Sequence, residues 1–175
     1  MKRIAIDMDE VISQFSTKCI QLFNNEFNIN YSVNDLHGKK LVELDKRFER
    51  KVNEYLSLES FFLSLEVVKD SQQVIKKLSS QYEIFIVTAA MDFPSSLAPK
   101  YKWLKKNYDF LNEKNFVFCG DKSIIRADYL IDDTPENLET FKGKGILFTA
   151  PHNMQETRYF RLNNWYEIEK YFNNK

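Results

Sequence analysis

Four glycines and four prolines in 175 residues leave no Gly/Pro-rich linker along the chain, and no internal repeat or low-complexity tract is present. Neither G-x-G-x-x-G nor G-x-x-x-x-G-K-[ST] occurs, so the dinucleotide and P-loop sites that seat phosphates on glycine backbone are excluded by motif. The two cysteines, Cys19 and Cys119, have no His/Cys neighbours at metal-ligand spacing. A disulfide scaffold and a structural zinc site are therefore both excluded, and the two read as reduced, buried thiols. The apolar run after Lys2 and Arg3 is cut by Asp7, Asp9 and Glu10, which rules out a signal h-region. No run approaches the roughly 18 apolar residues of a membrane span. Net charge is absent as well: 25 Lys+Arg balance 25 Asp+Glu, so no global field draws in a nucleic-acid polymer or an anionic membrane. These absences leave a soluble, cytoplasmic protein acting on a small molecule, with a homodimer left open.

What is present is 43% hydrophobic and 15% aromatic, enough for one core and a small appended unit. Short apolar runs ending in polar residues recur: 3–7 (RIAID), 83–88 (EIFIVT), 115–119 (NFVFC, leading into Asp121 and Lys122) and 128–133 (DYLIDD), with 145–149 (GILFT) closing the series. Each reads as a buried strand. Helical patterns at 71–80, 96–107 and 134–142 lie between them, the first capped at Asp70 or Ser71, the last by Thr134 with Pro135 at its first position. Strand–helix alternation predicts a parallel sheet covered by helices, with ligand at the carboxyl ends of the strands. Residues 13–68 break the alternation. Phe15, Cys19, Leu22, Phe23 and Phe27, then Leu44, Phe48, Val52, Tyr55 and Leu56, repeat close to helical period, with a turn at Asn34 to Gly38. This segment is expected to be a helical cap inserted after the first strand of an α/β core made of 1–12 and 69–175.

The polar strand ends carry the chemistry. Strand alternation places Asp7 and Asp9 on one face, so both reach one site. A D-x-D alone is weak, but Thr88, Lys122, Asp132 and Asp133 end or follow other strands of the same sheet. Hydrolysis of a phosphate monoester needs up to ~10²¹-fold acceleration. Carboxylates from two strands suit Mg²⁺, while Lys122 and the Thr88 hydroxyl suit the remaining phosphate oxygens. No histidine stands at a comparable strand end and Cys119 reads as a buried thiol, which leaves a carboxylate as nucleophile: Asp7 is the candidate, with Asp9 as general acid and base.

In this order, Asp7-Met8-Asp9-Glu10-Val11, Thr88, Lys122 and Asp132-Asp133 resemble the four motifs of the haloacid dehalogenase-like phosphohydrolases. IDMDEVISQF (6–15), FFLSLE (61–66), DKSIIRADYLIDDTPEN (121–137) and ILFTAPHN (146–153) resemble the 5′(3′)-deoxyribonucleotidases within that superfamily, and the similarity spans the chain apart from roughly 30–55. The resemblance implies a three-layer α/β/α core with a small helical cap, Mg²⁺ dependence, and release of phosphate from deoxyribonucleoside 5′- or 3′-monophosphates. It implies metal ligands at Asp7, at Asp9 through its backbone carbonyl, and at Asp132, Asp133 or both, with Asp132 favoured for direct contact. It also implies phosphate contacts from Thr88, Ala89 and Lys122, and base contacts from Phe15 and from Phe61 or Phe62. Two positions depart from the animal members: Glu10 replaces glycine, and Ala89-Ala90 replaces Ser-Pro.

Competing readings are specific. A phosphoacceptor receiver uses similar residues but sets its phosphorylated Asp on a middle strand, before Thr and Lys; here the D-x-D comes first. A phosphosugar phosphatase, or a nucleotide-binding regulator without catalysis, shares the motifs. Phenylalanines at helical spacing usually fill cores, so Phe15, Phe61 and Phe62 also read as packing. Lys100, Lys102, Lys105 and Lys106 read as a solvated helix face. His152, without an acidic partner at a telling offset, reads as structural, and Arg126 as a residue that could reach substrate from beyond Lys122.

Overall fold

The computed structural model describes residues 1–91 and 93–174. Six strands form one parallel sheet: β1 (Arg3–Ile6), β2 (Glu83–Ala89), β3 (Phe116–Cys119), β4 (Tyr129–Asp132), β5 (Lys144–Phe148) and β6 (Arg161–Leu162), in the order β3-β2-β1-β4-β5-β6. The α/β class and the parallel sheet expected from the alternation are those observed. The order reverses between β1 and β4, which puts the ends of these two strands at the switch point where open α/β sheets bind ligands. Asp7 follows β1 and still donates its backbone N–H to Ile131 O at 2.9 Å, so its position is locked to β4.

Alternation along the strands sorts the sheet residues into two cores. Ile4, Ile6, Ile84, Ile86, Ile131 and Ile146 face the larger one, with α1 (Phe15–Phe27), α3 (Phe48–Leu56), α4 (Glu59–Leu63), α5 (Ser71–Leu78), α6 (Leu97–Asn107) and α8 (Trp165–Asn173). Ala5, Val87, Leu130 and Leu147 face the smaller one. Among the helices with described residues, only α7 (Pro135–Thr140) contributes to that cluster, so the second outer layer is thin.

β6 and α8 were not anticipated from the sequence. Two residues are too few for a periodic signal, and β6 stands only by pairing with β5 at Leu147↔Arg161 and Phe148↔Leu162. The expected cap at Asp70 makes no side-chain bond; Asp70 takes a positive φ of 66°. Ser71 instead bonds Val68 O at 2.6 Å and the Tyr108 hydroxyl at 2.7 Å. Thr134 likewise occupies the N-cap position of α7 without a side-chain bond, and Pro135 sits at its first turn.

The segment between β1 and α5 is helical: α1, α2 (Leu41–Leu44), α3 and α4, with a short 3₁₀ turn at Val33–Asp35. Phe23 and Phe48 stack at 3.8 Å between ring centroids and join α1 to α3, each ring burial contributing about 1.5–3 kcal/mol. Gly38 closes the turn with φ 87° and donates its N–H to Pro151 O at 2.7 Å. The segment leaves and returns side by side: Gln14 N–H donates to Glu66 O and Val68 N–H to Ile12 O, both at 2.9 Å. Two buried indoles pin these ends, Trp165 donating to Val11 O at 2.8 Å and Trp103 to Leu65 O at 2.9 Å. Among the described residues, no helix is long and apolar enough to cross a membrane.

Candidate active site

Asp7, Thr88, Lys122, Asp132 and Asp133 are all buried at the carboxyl edge of the sheet, each within 7% exposure, although isolated ionised groups are almost never found there. Asp7, Lys122 and Asp132 satisfy one another. The Lys122 ammonium lies between Asp7 Oδ1 and Asp132 Oδ2, the latter at 2.6 Å. Burial lowers its pKa, but the two carboxylates more than offset this and hold the lysine charged. Asp132 is saturated: Oδ1 accepts the Thr134 N–H at 2.9 Å and Asn137 Nδ2 at 3.1 Å, and Oδ2 takes Lys122. Asp133 has none of these ties; His152 Nε2 lies 3.5 Å from its Oδ2, and burial holds that imidazole toward its neutral form.

Oxygens of Asp7, Asp132 and Asp133 lie within 4.8 Å of one another. One ammonium cannot balance three buried carboxylates at that separation. Asp7 is accordingly pushed up to about 7, first by burial, against which Lys122 works, and then by the Asp132 and Asp9 charges. Asp133 rises well above the usual carboxylate range, by burial and then by Asp7 and Asp132. A hard oxygen donor set with surplus negative charge fits a divalent cation such as Mg²⁺.

Asp9 stands in the tight turn after β1, where Ile12 and Ser13 donate their N–H groups to Met8 O at 2.9 and 3.0 Å. Glu10 holds a positive φ of 62° in that turn, a conformation glycine adopts without strain. Its carboxylate accepts the Ser16 N–H at 2.5 Å and so caps α1, whose N-cap residue Gln14 makes no side-chain cap. Burial pushes Glu10 up to about 7.

A cavity of about 240 Å³ is lined by Asp9, Glu10, Asp133 and His152 together with Phe15, Ser16, Leu36, Lys39, Lys40 and Leu41 of the helical segment. Phe15 therefore faces the cavity, its ring 5.5 Å from that of Phe61. Phe62 is not among the lining residues: it is 1% exposed and packs edge-on against Phe61 at 5.2 Å. Ala89 is exposed at the end of β2, beside Thr88. Arg126 is at the other end of the molecule, bordering a cavity with Met1, Arg3 and Asp128, which precede or begin β1 and β4. The polypeptide after Lys122 runs back to start β4, so proximity in sequence to that lysine misled.

Lys100 departs from the expected solvated face. Lys102 and Lys105 are exposed and pair with Glu59 and Glu113. Lys100 is 3% exposed and donates to Asp9 Oδ2 at 2.6 Å and Thr88 Oγ1 at 2.9 Å. The signal was available: Lys100 precedes Trp103 and Leu104 at i+3 and i+4, the buried stripe of α6. Asn137 and Asn153 also escaped notice. Buried Asn153 donates to Asp133 O at 2.7 Å and Phe148 O at 2.8 Å, and Arg161 donates to its Oδ1 at 2.8 Å, so β6 supports the loop carrying Asp133. The partner of His152, Asp133, is likewise met only in space.

Residues 1–174 match the family described as 5′ nucleotidase, deoxy (Pyrimidine), cytosolic type C protein. A protein of Staphylococcus epidermidis, provisionally assigned as a 5′(3′)-deoxyribonucleotidase, is 45% identical over 172 residues, covering 98% of this chain and 96% of that one. The 5′(3′)-deoxyribonucleotidase of Bacillus subtilis is 40% identical over 172 residues, covering 97% of each. Solved structures share the fold. A haloacid dehalogenase family hydrolase of Deinococcus radiodurans, with bound phosphate and sodium, superposes with TM-score 0.67 at 8% identity over 99% of this chain and 96% of that one. A magnesium-bound hydrolase of that type from Bacillus subtilis superposes with TM-score 0.61 at 14% identity over 98% of each.

Proposed function

The chain belongs to the deoxy (pyrimidine) cytosolic type C 5′-nucleotidase family, phosphomonoester hydrolases of haloacid dehalogenase-like fold, and from that premise we propose that it dephosphorylates deoxyribonucleoside 5′- or 3′-monophosphates through an aspartyl-phosphate on Asp7. The observation that carries this is the meeting of Asp7, Asp9, Thr88, Lys122 and the Asp132-Asp133 pair on neighbouring strand ends beneath a cavity.

Lys122 fixes Asp7 Oδ1, leaving Oδ2 to attack phosphorus. As the ester P–O bond breaks, its electron pair goes to the leaving oxygen, which takes a proton from Asp9. Asp9, now a carboxylate, then accepts a proton from water as that water attacks phosphorus and frees Asp7 and inorganic phosphate. Thr88 donates to a phosphate oxygen, Lys122 adds its charge, and small Ala89 leaves room beside them. Asp7, Asp133 and the Asp9 backbone carbonyl would hold Mg²⁺, which when bound supplies charge neutralisation at the phosphate. The direct ligand of the acidic pair is Asp133 rather than Asp132, because both Asp132 oxygens are taken by Lys122, Thr134 and Asn137. The helical segment 13–68 acts as a cap, and the nucleoside occupies the cavity against Phe15.

The test is phosphate release from deoxyribo- and ribonucleoside 5′- and 3′-monophosphates and from phosphosugars, with Mg²⁺ and with EDTA, for wild type and Asp7→Asn. Mg²⁺-dependent release favouring deoxynucleotides, abolished in Asp7→Asn, is expected. Release confined to phosphosugars overturns the substrate class, and full activity in Asp7→Asn overturns the nucleophile.

A further inference from the structure

A buried lysine ammonium is desolvated and has no acceptor capacity, so each neighbour it contacts is forced into the acceptor role. Lys100 reaches the site from the first turn of α6, on an element separate from the strand ends that carry the other functional groups. Its Nζ lies 2.6 Å from Asp9 Oδ2 and 2.9 Å from Thr88 Oγ1, and 5.7 Å from the centroid of the Phe62 ring. Phe62, buried in the larger core, thus forms an apolar, cation-tolerant wall beside the ammonium.

We infer, on the phosphatase reading above, that Lys100 is a positioning residue that fixes the proton geometry of the site, assigning the transferable proton to Asp9 Oδ1 and turning the Thr88 hydroxyl hydrogen toward the phosphate. Oδ2 of Asp9 accepts from Lys100 and so cannot carry the acid proton on that side. Among the described residues, Oδ1 is held only by the Ser13 hydroxyl at 3.2 Å, and that hydroxyl is shared with Met8 O at 3.3 Å. Oδ1 is therefore the oxygen free to hand a proton to the leaving group. Thr88 Oγ1 accepts from Lys100, so its own hydrogen is left to donate. One ammonium aligns the general acid and a neutral phosphate donor together.

General acid catalysis matters when the leaving oxygen is an alkoxide and hardly matters for p-nitrophenolate, which departs without a proton. Phosphoenzyme formation is reported by kcat/KM. Lys100→Met is expected to lower kcat/KM for a deoxynucleoside 5′-monophosphate by about 100-fold, the lower end of typical general-acid effects. For p-nitrophenyl phosphate the loss is expected to be at least tenfold smaller, reflecting only the Thr88 share. In the Asp9→Asn background, Lys100→Met is expected to add no further leaving-group-dependent loss, because residues acting as one unit are non-additive. Lys100→Arg, which keeps the charge, guards against a variant that fails to fold, and is expected to recover part of the deoxynucleotide activity. Equal losses on both substrates, or additive losses with Asp9→Asn, overturn the inference. A wild type that hydrolyses neither substrate overturns the phosphatase reading itself; an active wild type with an unaffected Lys100→Met overturns only the role of Lys100.

Discussion

Metal-free protein is expected to lose stability as pH rises from 5 to 7, and Mg²⁺ is expected to restore it. Asp7 and Glu10 both titrate at about 7 in the folded chain, against ordinary values of 3.8 and 4.5, with burial as the leading cause. Asp133 is raised in the same direction. A carboxyl whose folded pKa is raised keeps its proton in the folded state while the unfolded chain has lost it, so stability falls with pH between the two values. Each such proton is worth about 1.4 kcal/mol per pH unit. His152, lowered by burial, opposes this below its ordinary 6.5 by less than one proton. Asp45 and Glu156, lowered to about 2, change stability only at more acid pH. The net is one to two protons, roughly 2 kcal/mol per pH unit. At about 2–4 °C per kcal/mol for a chain of this size, the thermal midpoint in EDTA should fall by roughly 4–8 °C from pH 5 to 6. Cation binding needs the carboxylates ionised, so added Mg²⁺ should raise the midpoint at pH 7.5 and hardly at all at pH 5. Differential scanning calorimetry over this pH series, with Asp7→Asn and Glu10→Gln as single-proton controls, measures each share. A midpoint that is flat or rising between pH 5 and 7 in EDTA would refute the placement of these acids in a charge-poor interior.

Two further expectations concern the supports of the site. Asn153→Ala leaves the Asp133 and Phe148 carbonyls without their donor and should cost about 2–4 kcal/mol, and a calorimetric Mg²⁺ titration of the still-folded variant should show weakened binding because the Asp133 loop loses its anchor. At Glu10, glycine relieves a left-handed backbone worth roughly 1–2 kcal/mol while removing the α1 cap, whereas alanine removes the cap and keeps the strain; urea unfolding should find Glu10→Ala the less stable of the two, and the reverse order would show that the positive φ carries no strain.

Local pattern carried far along this chain. Buried parallel strands announce themselves as apolar runs because both faces are covered, and their polar ends mark the carboxyl edge, where ligands meet such sheets. The gathering of Asp7, Asp9, Thr88, Lys122, Asp132 and Asp133 at one edge was legible for that reason, as was the helical nature of 13–68. Boundaries drifted by a residue or two, and β6 with its supporting Arg161 was invisible, since a two-residue strand exists only by pairing with β5.

Which charge meets which was decided by the tertiary structure alone. Lys100 and Lys102 are two residues apart on one helix, yet one is buried on Asp9 and Thr88 while the other lies in solvent on Glu59. Phe15 and Phe62 shared one sequence-level role, and packing separated them into a cavity wall and a backing for Lys100. Asp132 and Asp133 are adjacent and chemically identical in sequence, but Asn137, Thr134 and Lys122 saturate the first and leave the second facing the cavity. Sequence determines the chemical groups and the period that places them on strand ends or helix faces; hydrogen-bond saturation and burial are properties of atoms brought together from distant positions, and they arise only when the chain closes on itself.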